Sequence, residues 1–339
     1  MSRLMRQIDK NMNIAIIGTG KIVEEALPVI CSTEGISVRC LWSREHSVVR
    51  AWQLAKRWSI PDVLTDYDRV LADSSIDFVY IALINSVHYA YTLRALQAGK
   101  HVILEKPACL TADEFRQLAV EARSRQLYLF EAVTLLHLPA MRVLKDYLLP
   151  QIGTIRHIEC NYSQRSSRME RYLQGDVAPA LVPKVGGGAL MDINIYNLHF
   201  VQTIMEMEPL QLCYESLRGF NDVDLSGTAL LRYPSALAIC TGTKDTDAPS
   251  FGLIQGERGW IRVEGPVSTM RGLTICLRGS APEAIDLPAV THRLAPEFAA
   301  FVEIFASKDY AQMDALLQHS IAVMEIVEKL RDQSLLYEG

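Results

Sequence analysis

The sequence predicts a doubly wound α/β domain on a parallel sheet, followed by an α+β domain with a largely antiparallel open sheet. Three observations carry that expectation. The first part of the chain alternates short, nearly continuous apolar runs with helical stretches, as parallel strands covered on both faces do. Its first apolar run ends in a glycine turn, Gly18-Thr19-Gly20. The second part holds closely spaced strand-like runs with turn signals between them. At 339 residues the chain exceeds one ordinary domain and suits two, divided near 131–136.

Taken in order, the strands of the first part are expected at 13–17, 38–42, 78–83, 101–104 and 127–130. Helices are expected at 47–58, 87–98 and 112–123. On the first of these, Val48, Ala51, Trp52 and Ala55 form one apolar stripe. The second part opens with a helix at 140–149. Strands follow at 155–163, 210–217, 227–233, 236–243, 251–255, 260–264 and 273–277, with a helix at 188–205 among them. Two helices, 296–307 and 311–331, close the pattern.

Composition excludes several function classes. The chain has 34 basic and 39 acidic side chains and a net charge of −5, which argues against a nucleic-acid binder. Its 7 cysteines are odd in number and form no Cys-x-x-Cys pair, so neither a disulfide framework nor a thiolate zinc site is expected. No His-Glu-x-x-His pattern occurs, and no metal is expected. The first residues lack a signal-peptide core, and no apolar run reaches the roughly 18 residues of a membrane span. The expectation is a cytoplasmic protein with no membrane partner.

The glycine turn suits a phosphate, or else simply joins strand to helix with no ligand. Gly18 permits the tight turn, Gly20 lets a pyrophosphate reach the backbone, and the following helix offers unpaired N–H groups. Gly18, Thr19, Gly20, Lys21 and Ile22 are therefore candidate cofactor-binding residues. The third fingerprint position holds Val23 instead of glycine or alanine. The second strand ends in Trp42-Ser43-Arg44. Serine replaces the acid that binds an NAD ribose, and arginine suits a 2′-phosphate, so NADP is slightly favoured over NAD. Glu45 keeps NAD open.

Glu105-Lys106-Pro107 follows the strand at 101–104, at the carboxyl end where this architecture binds ligands. The Lys106 ammonium can bond a substrate oxygen or lower the pKa of a nearby hydroxyl. On the helix at 188–205, the spacing places Asp192, Tyr196 and His199 on one face. Arg165 and Arg168 sit in a polar stretch after the strand at 155–163. They suit an anionic or polyhydroxylated substrate, or simply a solvated loop.

Together these motifs resemble the glucose–fructose oxidoreductase / inositol dehydrogenase / MocA family. The resemblance is carried by Gly18-Thr19-Gly20, Ser43-Arg44, residues 81–88 with Asn85 and His88, residues 98–107 ending in Glu105-Lys106-Pro107, Glu131-Ala132, and residues 186–192. The expected organisation is an N-terminal tail (1–10), a dinucleotide-binding Rossmann domain (11–133), and an α+β domain (134–339) for substrate binding and oligomerisation. The resemblance implies that Lys106 is essential for catalysis, that Asn85 lies near the cofactor, and that Asp192 and Tyr196 belong to the active site. His88 and Glu105 are grouped with the cofactor-binding residues, and Arg165 and His199 with the substrate-binding ones. Ile84 and Asn194 depart from the family's usual proline and glycine. A homodimer or homotetramer through the C-terminal sheet is implied as well.

The expected chemistry is hydride transfer between nicotinamide C4 and a carbinol or carbonyl carbon of a sugar, polyol or related small molecule. Lys106 and Tyr196 would relay the proton, and Asp192 would orient the hydroxyl. A non-catalytic NAD(P)-binding regulatory or sensor protein of the same fold is the alternative. Reduction of a non-sugar carbonyl or a dihydrodiol also stays open.

Overall fold

The structure is a computed structural model that describes residues 11–334, so the tail expected at 1–10 lies outside the described residues. The chain forms two compact units. The first contains residues 11–109, 113–132 and 291–318; the second contains 110–112, 133–290 and 319–334.

In the first unit, strands and helices alternate. They are β1 (Met12–Ile17), α1 (Lys21–Ser32), β2 (Ile36–Trp42), α2 (Val48–Trp58), β3 (Asp62–Leu64), α3 (Tyr67–Ala72), β4 (Phe78–Ile81), α4 (His88–Gln97), β5 (His101–Glu105), α5 (Ala112–Ser124) and β6 (Leu129–Ala132). All six strands pair in parallel, in the order β3-β2-β1-β4-β5-β6. The order reverses at β1, which opens a crevice at the strands' carboxyl ends. Register sets that edge: Ile17 is level with Trp42 and Ile81, and Ile81 with Leu104. The loops starting at Gly18, Ser43, Ala82 and Lys106 therefore open on one side of the sheet.

Some details differ from expectation: α3 is not among the expected helices, and β6 lies two residues later than the strand expected at 127–130. β3 is too short to show a strand period in the sequence. On α2 the buried residues are Ala51, Leu54 and Ala55, while Trp52 is 53% exposed. At 100° per residue, position 52 falls on the flank of a stripe centred on 51 and 55.

The second unit begins with α6 (Pro139–Val143) and α7 (Leu149–Ile152), joined by a π-helical stretch, Leu144–Leu148. Next come β7 (Ile155–Ser163), α8 (Met169–Leu173), and α9 (Ile195–Met205), which is entered through a second π-helical stretch, Leu190–Asn194. Then follow β8 (Gln211–Arg218), β9 (Asp224–Arg232), β10 (Leu237–Thr243), β11 (Phe251–Gly256), β12 (Gly259–Glu264), β13 (Gly272–Leu277) and β14 (Glu283–Ile285). They form one sheet in the order β14-β13-β12-β11-β7-β10-β9-β8. Pairing is antiparallel except between β7 and β10, which run parallel.

Register aligns the core of this sheet into rows. Leu231, Ala238, Ile158, Ile254, Ile261 and Ile275 form one buried row; Tyr214, Ala229, Cys240, Cys160, Gly252, Val263 and Leu273 form the next. The alternate positions, such as Leu230 and Leu237, are exposed. This is the one-sided burial that strand alternation produces.

The chain then returns. α10 (Ala295–Ser307) and the start of α11 (Tyr310–Ser334) belong to the first unit, not to the domain expected over 134–339. The reason is a phenylalanine stripe at helical spacing. Phe298 meets Tyr80 at 5.7 Å, Phe301 stacks on Phe130 at 4.5 Å, and Phe305 meets Phe78 edge-on at 4.9 Å, as ring centroids. Among the described residues no helix is long and apolar enough to cross a membrane.

The segment leading into α9 is fastened to β10 by amides. Asn194 Nδ2 donates to the Cys240 carbonyl at 2.9 Å. Asn197 Nδ2 donates to Asn194 Oδ1 at 2.8 Å and to the Thr241 carbonyl at 3.0 Å. Both asparagines are fully buried, and a Cβ on Gly242 would lie 2.8 Å from that of Asn194. Asn194→Ala removes a donor and an acceptor from this buried network. It is expected to lower the unfolding free energy by about 1–3 kcal/mol, measured by urea titration.

Candidate functional site

The first unit presents the elements of a dinucleotide site. Gly18 has φ +125°, and a Cβ there would lie 2.5 Å from the Ala82 carbonyl oxygen, so only glycine fits between β1 and β4. Gly20 is the N-cap of α1, and a Cβ there would meet open space. No side chain caps the first turn of α1, which leaves its N–H groups for a phosphate. Thr19 and Ile22 are half-buried, Lys21 is exposed, and Val23 is fully buried beneath them. At the end of β2, Ser43 is buried and its Oγ has no hydrogen-bond partner. Arg44 beside it is exposed and carries no ion pair among the described residues. An open phosphate cradle next to a buried orphan hydroxyl fits a dinucleotide.

The ends of β4 and β5 close this edge. Asn85 is half-buried, and Lys106 is half-buried just beyond β5. Glu105, the last residue of β5, faces the interior of the unit. It is buried and accepts from Tyr80 Oη at 2.5 Å. Burial pushes the Glu105 carboxyl above its ordinary range, against the hydrogen bond from Tyr80 and the charges of Lys106 and Arg293. Glu297 on α10 is also buried and is raised well above, by burial and by the charge of Glu105. The Glu105 carboxyl is thus engaged inside the unit with Tyr80, away from the role expected for it as a cofactor contact.

His88 needs the same correction. Its ring is fully buried, with Nδ1 2.9 Å from the Pro107 carbonyl oxygen and Nε2 3.2 Å from that of Leu83. Burial holds its pKa below the ordinary imidazole value. Both nitrogens face backbone carbonyls, and the neutral ring donates to one of them, so His88 is engaged within the unit between the β4 and β5 loops.

In the second unit, one helical surface stands out. Over residues 191–200 every residue is buried except Asp192 and Tyr196. The Tyr196 ring lies 6.1 Å from that of Tyr162 on β7. Asp192 is ion-paired to Lys244, whose Nζ lies 2.6 Å from Oδ2. The start of this segment is fixed by Asp224, which accepts from Leu190 N–H and Tyr214 Oη, each at 2.7 Å. Burial raises the Asp224 carboxyl, while the Tyr214 and Leu190 bonds and Lys244 oppose the shift.

His199 does not join this pair. It is buried, and its Nδ1 lies 3.1 Å from Nε2 of His319 on α11. Three residues after Tyr196 is 60° further round the helix, and that side is core. Arg165 is also engaged locally: its guanidinium pairs with Glu170 at 2.9 Å, and its N–H donates to Asp247. Among the described residues no group of three or more His, Cys, Asp or Glu is arranged to hold a metal ion.

Comparison with known proteins interprets these two surfaces. Residues 12–132 match a model described as an oxidoreductase family with an NAD-binding Rossmann fold, Gfo/Idh/MocA; residues 150–262 match the C-terminal domain of the same family. The chain belongs to the Gfo/Idh/MocA family. It is 27% identical to a scyllo-inositol 2-dehydrogenase (NADP(+)) of Bacillus subtilis over 322 residues, 95% of this chain and 97% of that one. It is 31% identical to a trans-1,2-dihydrobenzene-1,2-diol dehydrogenase of Sus scrofa over 210 residues, 59% of this chain and 60% of that one. A 3-ketoreductase from Actinomadura kijaniata, KijD10, crystallised with NADP and TDP-benzene, superposes with a TM-score of 0.84 at 25% identity, covering 96% and 98% of the two chains. The first unit of this Gfo/Idh/MocA protein is an NAD(P)-binding Rossmann unit, and the protein is an oxidoreductase.

Sequence reasoning missed three supporting residues of this Gfo/Idh/MocA chain: Tyr80, Asp224 and Lys244. None stands in a motif. Lys244 lies in a polar run, Lys-Asp-Thr-Asp, that reads as a solvated loop.

Gly20→Ala is expected to leave the unfolding midpoint unchanged and to weaken NADPH binding at least about tenfold, because the new methyl points into the phosphate cradle. A fluorescence titration of bound NADPH measures it. His319 gives a pH signature. Burial pushes its pKa down to about 4, below the unfolded value of about 6.5. The unfolded chain therefore binds the extra proton, and His319 costs stability as pH falls from about 6.5 to about 4. Urea unfolding of His319→Gln at pH 4.5 and 7 should show a loss smaller than wild type by up to about 3 kcal/mol.

Proposed function

We propose that this protein transfers hydride between NADP(H) and a CH–OH or carbonyl carbon of a sugar, polyol or related small molecule. The observation that carries the reading is the exposure of Asp192 and Tyr196 alone on an otherwise buried surface, in a chain that also carries Lys106 at a ligand-binding strand end. NADP over NAD is supported by Ser43 and Arg44 where an acid would bind a free ribose, and by the NADP named for the bacillary dehydrogenase and for KijD10.

When bound, the nicotinamide donates or accepts the hydride. The residues present would do the rest. The turn at 18–22 and Ser43-Arg44 would hold the phosphates and ribose, with Asn85 beside them. Hydride movement changes the charge on the substrate oxygen, so a proton must move with it. An isolated phenol, with a pKa of about 10, is a poor base at neutral pH, and an ammonium favours its phenolate. In this reading Lys106 and Tyr196 handle the proton, and Asp192 orients the substrate hydroxyl. Arg165 and His199 are not assigned substrate roles, since each is engaged elsewhere.

The test is absorbance at 340 nm with NADP(H) and NAD(H) against a panel of inositols, aldoses, ketoses and dihydrodiols. Turnover is expected on a polyhydroxylated ring. Lys106→Met should cut kcat by at least about 100-fold while NADPH affinity stays within about threefold. Full activity in that variant would refute the role of Lys106. A blank panel with tight NADPH binding would favour the sensor alternative.

A further inference from the structure

The cation that pairs with Asp192 has no counterpart in the sequence reading. Lys244 follows β10 directly. Its backbone is held at both ends: its N–H donates to the Leu225 carbonyl, and its carbonyl accepts from Ser166 N–H, each at 2.7 Å. Its side chain is only 3% exposed. The ammonium has two partners, the Ala180 carbonyl at 2.8 Å and Asp192 Oδ2 at 2.6 Å. The Asp192 side chain, by contrast, is 36% exposed. One end of the pair is thus locked in the unit and the other reaches solvent.

This arrangement suits aiming more than stabilising. A buried ion pair is weak evidence for stability, because desolvation offsets the attraction. A charge-assisted bond with a fixed donor does, however, confine the carboxylate. The rest of the turn is confined as well. Asp224 grips Leu190 N–H, and a Cβ on Gly188 would collide with Asp224 Oδ1 at 1.8 Å, so the backbone can enter the turn there only as glycine. Asp224 holds the backbone of the segment, and Lys244 holds its functional carboxylate.

We propose that Lys244 is a positioning residue of the oxidoreductase reaction, acting on substrate only through Asp192. This rests on the reading above, in which Asp192 orients the substrate hydroxyl. Misplacement of such a group by about 1 Å can cost about 100-fold in rate.

The experiment is a double-mutant cycle on kcat and KM with a substrate from the panel, using wild type, Lys244→Met, Asp192→Asn and the double variant. NADPH affinity and the unfolding midpoint are measured on each. In the wild-type background Lys244→Met should lower kcat about 10- to 100-fold, with KM and NADPH affinity within about threefold. In the Asp192→Asn background the same change should alter kcat less than about twofold. Lys244→Gln, which keeps a donor, should recover part of the loss, and it carries the cycle if the methionine variant does not fold. Equal losses in both backgrounds, or an unchanged kcat in Lys244→Met, overturn the proposal while leaving the oxidoreductase reading intact. So does unfolding of both lysine variants whatever stands at 192, since the lysine then serves only the fold. A wild type that binds NADPH but turns over nothing overturns the oxidoreductase reading and this role together.

Discussion

The second unit depends on how closely the 190–205 segment lies against β10. That approach is possible because Gly242 has no side chain and because the amide N–H groups of Asn194 and Asn197 donate to strand carbonyls, while Asn197 Oδ1 stays buried without a partner. Buried amides without such partners would be costly; with them they fix the segment's height and rotation. The π-helical turn then decides which residues look outward. A π turn inserts extra width into a helix and is found disproportionately at functional sites. Here Ile193, Ile195 and Leu198 are spent on the core, and Asp192 and Tyr196 remain toward solvent.

The first unit solves a related problem with strand alternation. Successive side chains at the end of β5 face opposite environments. Glu105 enters an apolar interior with Tyr80 and Glu297, where burial favours neutral carboxyls. Lys106, one residue on and just beyond β5, is half-buried. Arg293 binds Glu25 through two bonds, 2.6 and 2.8 Å, and holds that carboxyl below its ordinary range. The same residue type is therefore held low on α1 and pushed toward neutrality a few strands away, according to whether a direct arginine bond or burial is the larger effect.

Much of this was legible. Parallel strands buried on both faces leave nearly continuous apolar runs, so β1, β2, β4 and β5 could be read directly, and with them the turns at their ends. The glycine turn was legible because φ +125° at Gly18 admits little else. What escaped lacked a local signal. β3 and β14, with 3 residues each, show no period. His199 was misjudged because a helical wheel cannot tell that its side of α9 meets His319. Lys244 bonds partners 64 and 52 positions away, beyond any spacing rule. The stripe of Phe298, Phe301 and Phe305 announced an amphipathic helix but not which sheet it covers.

That last feature reaches beyond packing. The aromatic face of the parallel sheet, with Phe78, Tyr80 and Phe130, is covered by a helix that the ribosome makes more than 150 residues later. Until then the newborn sheet carries an uncovered greasy face, a natural client for a chaperone. For the same reason, the nucleotide-binding unit is not one continuous N-terminal segment. Cutting after Ala132 would strip away its lid of phenylalanines, which residues 291–318 supply.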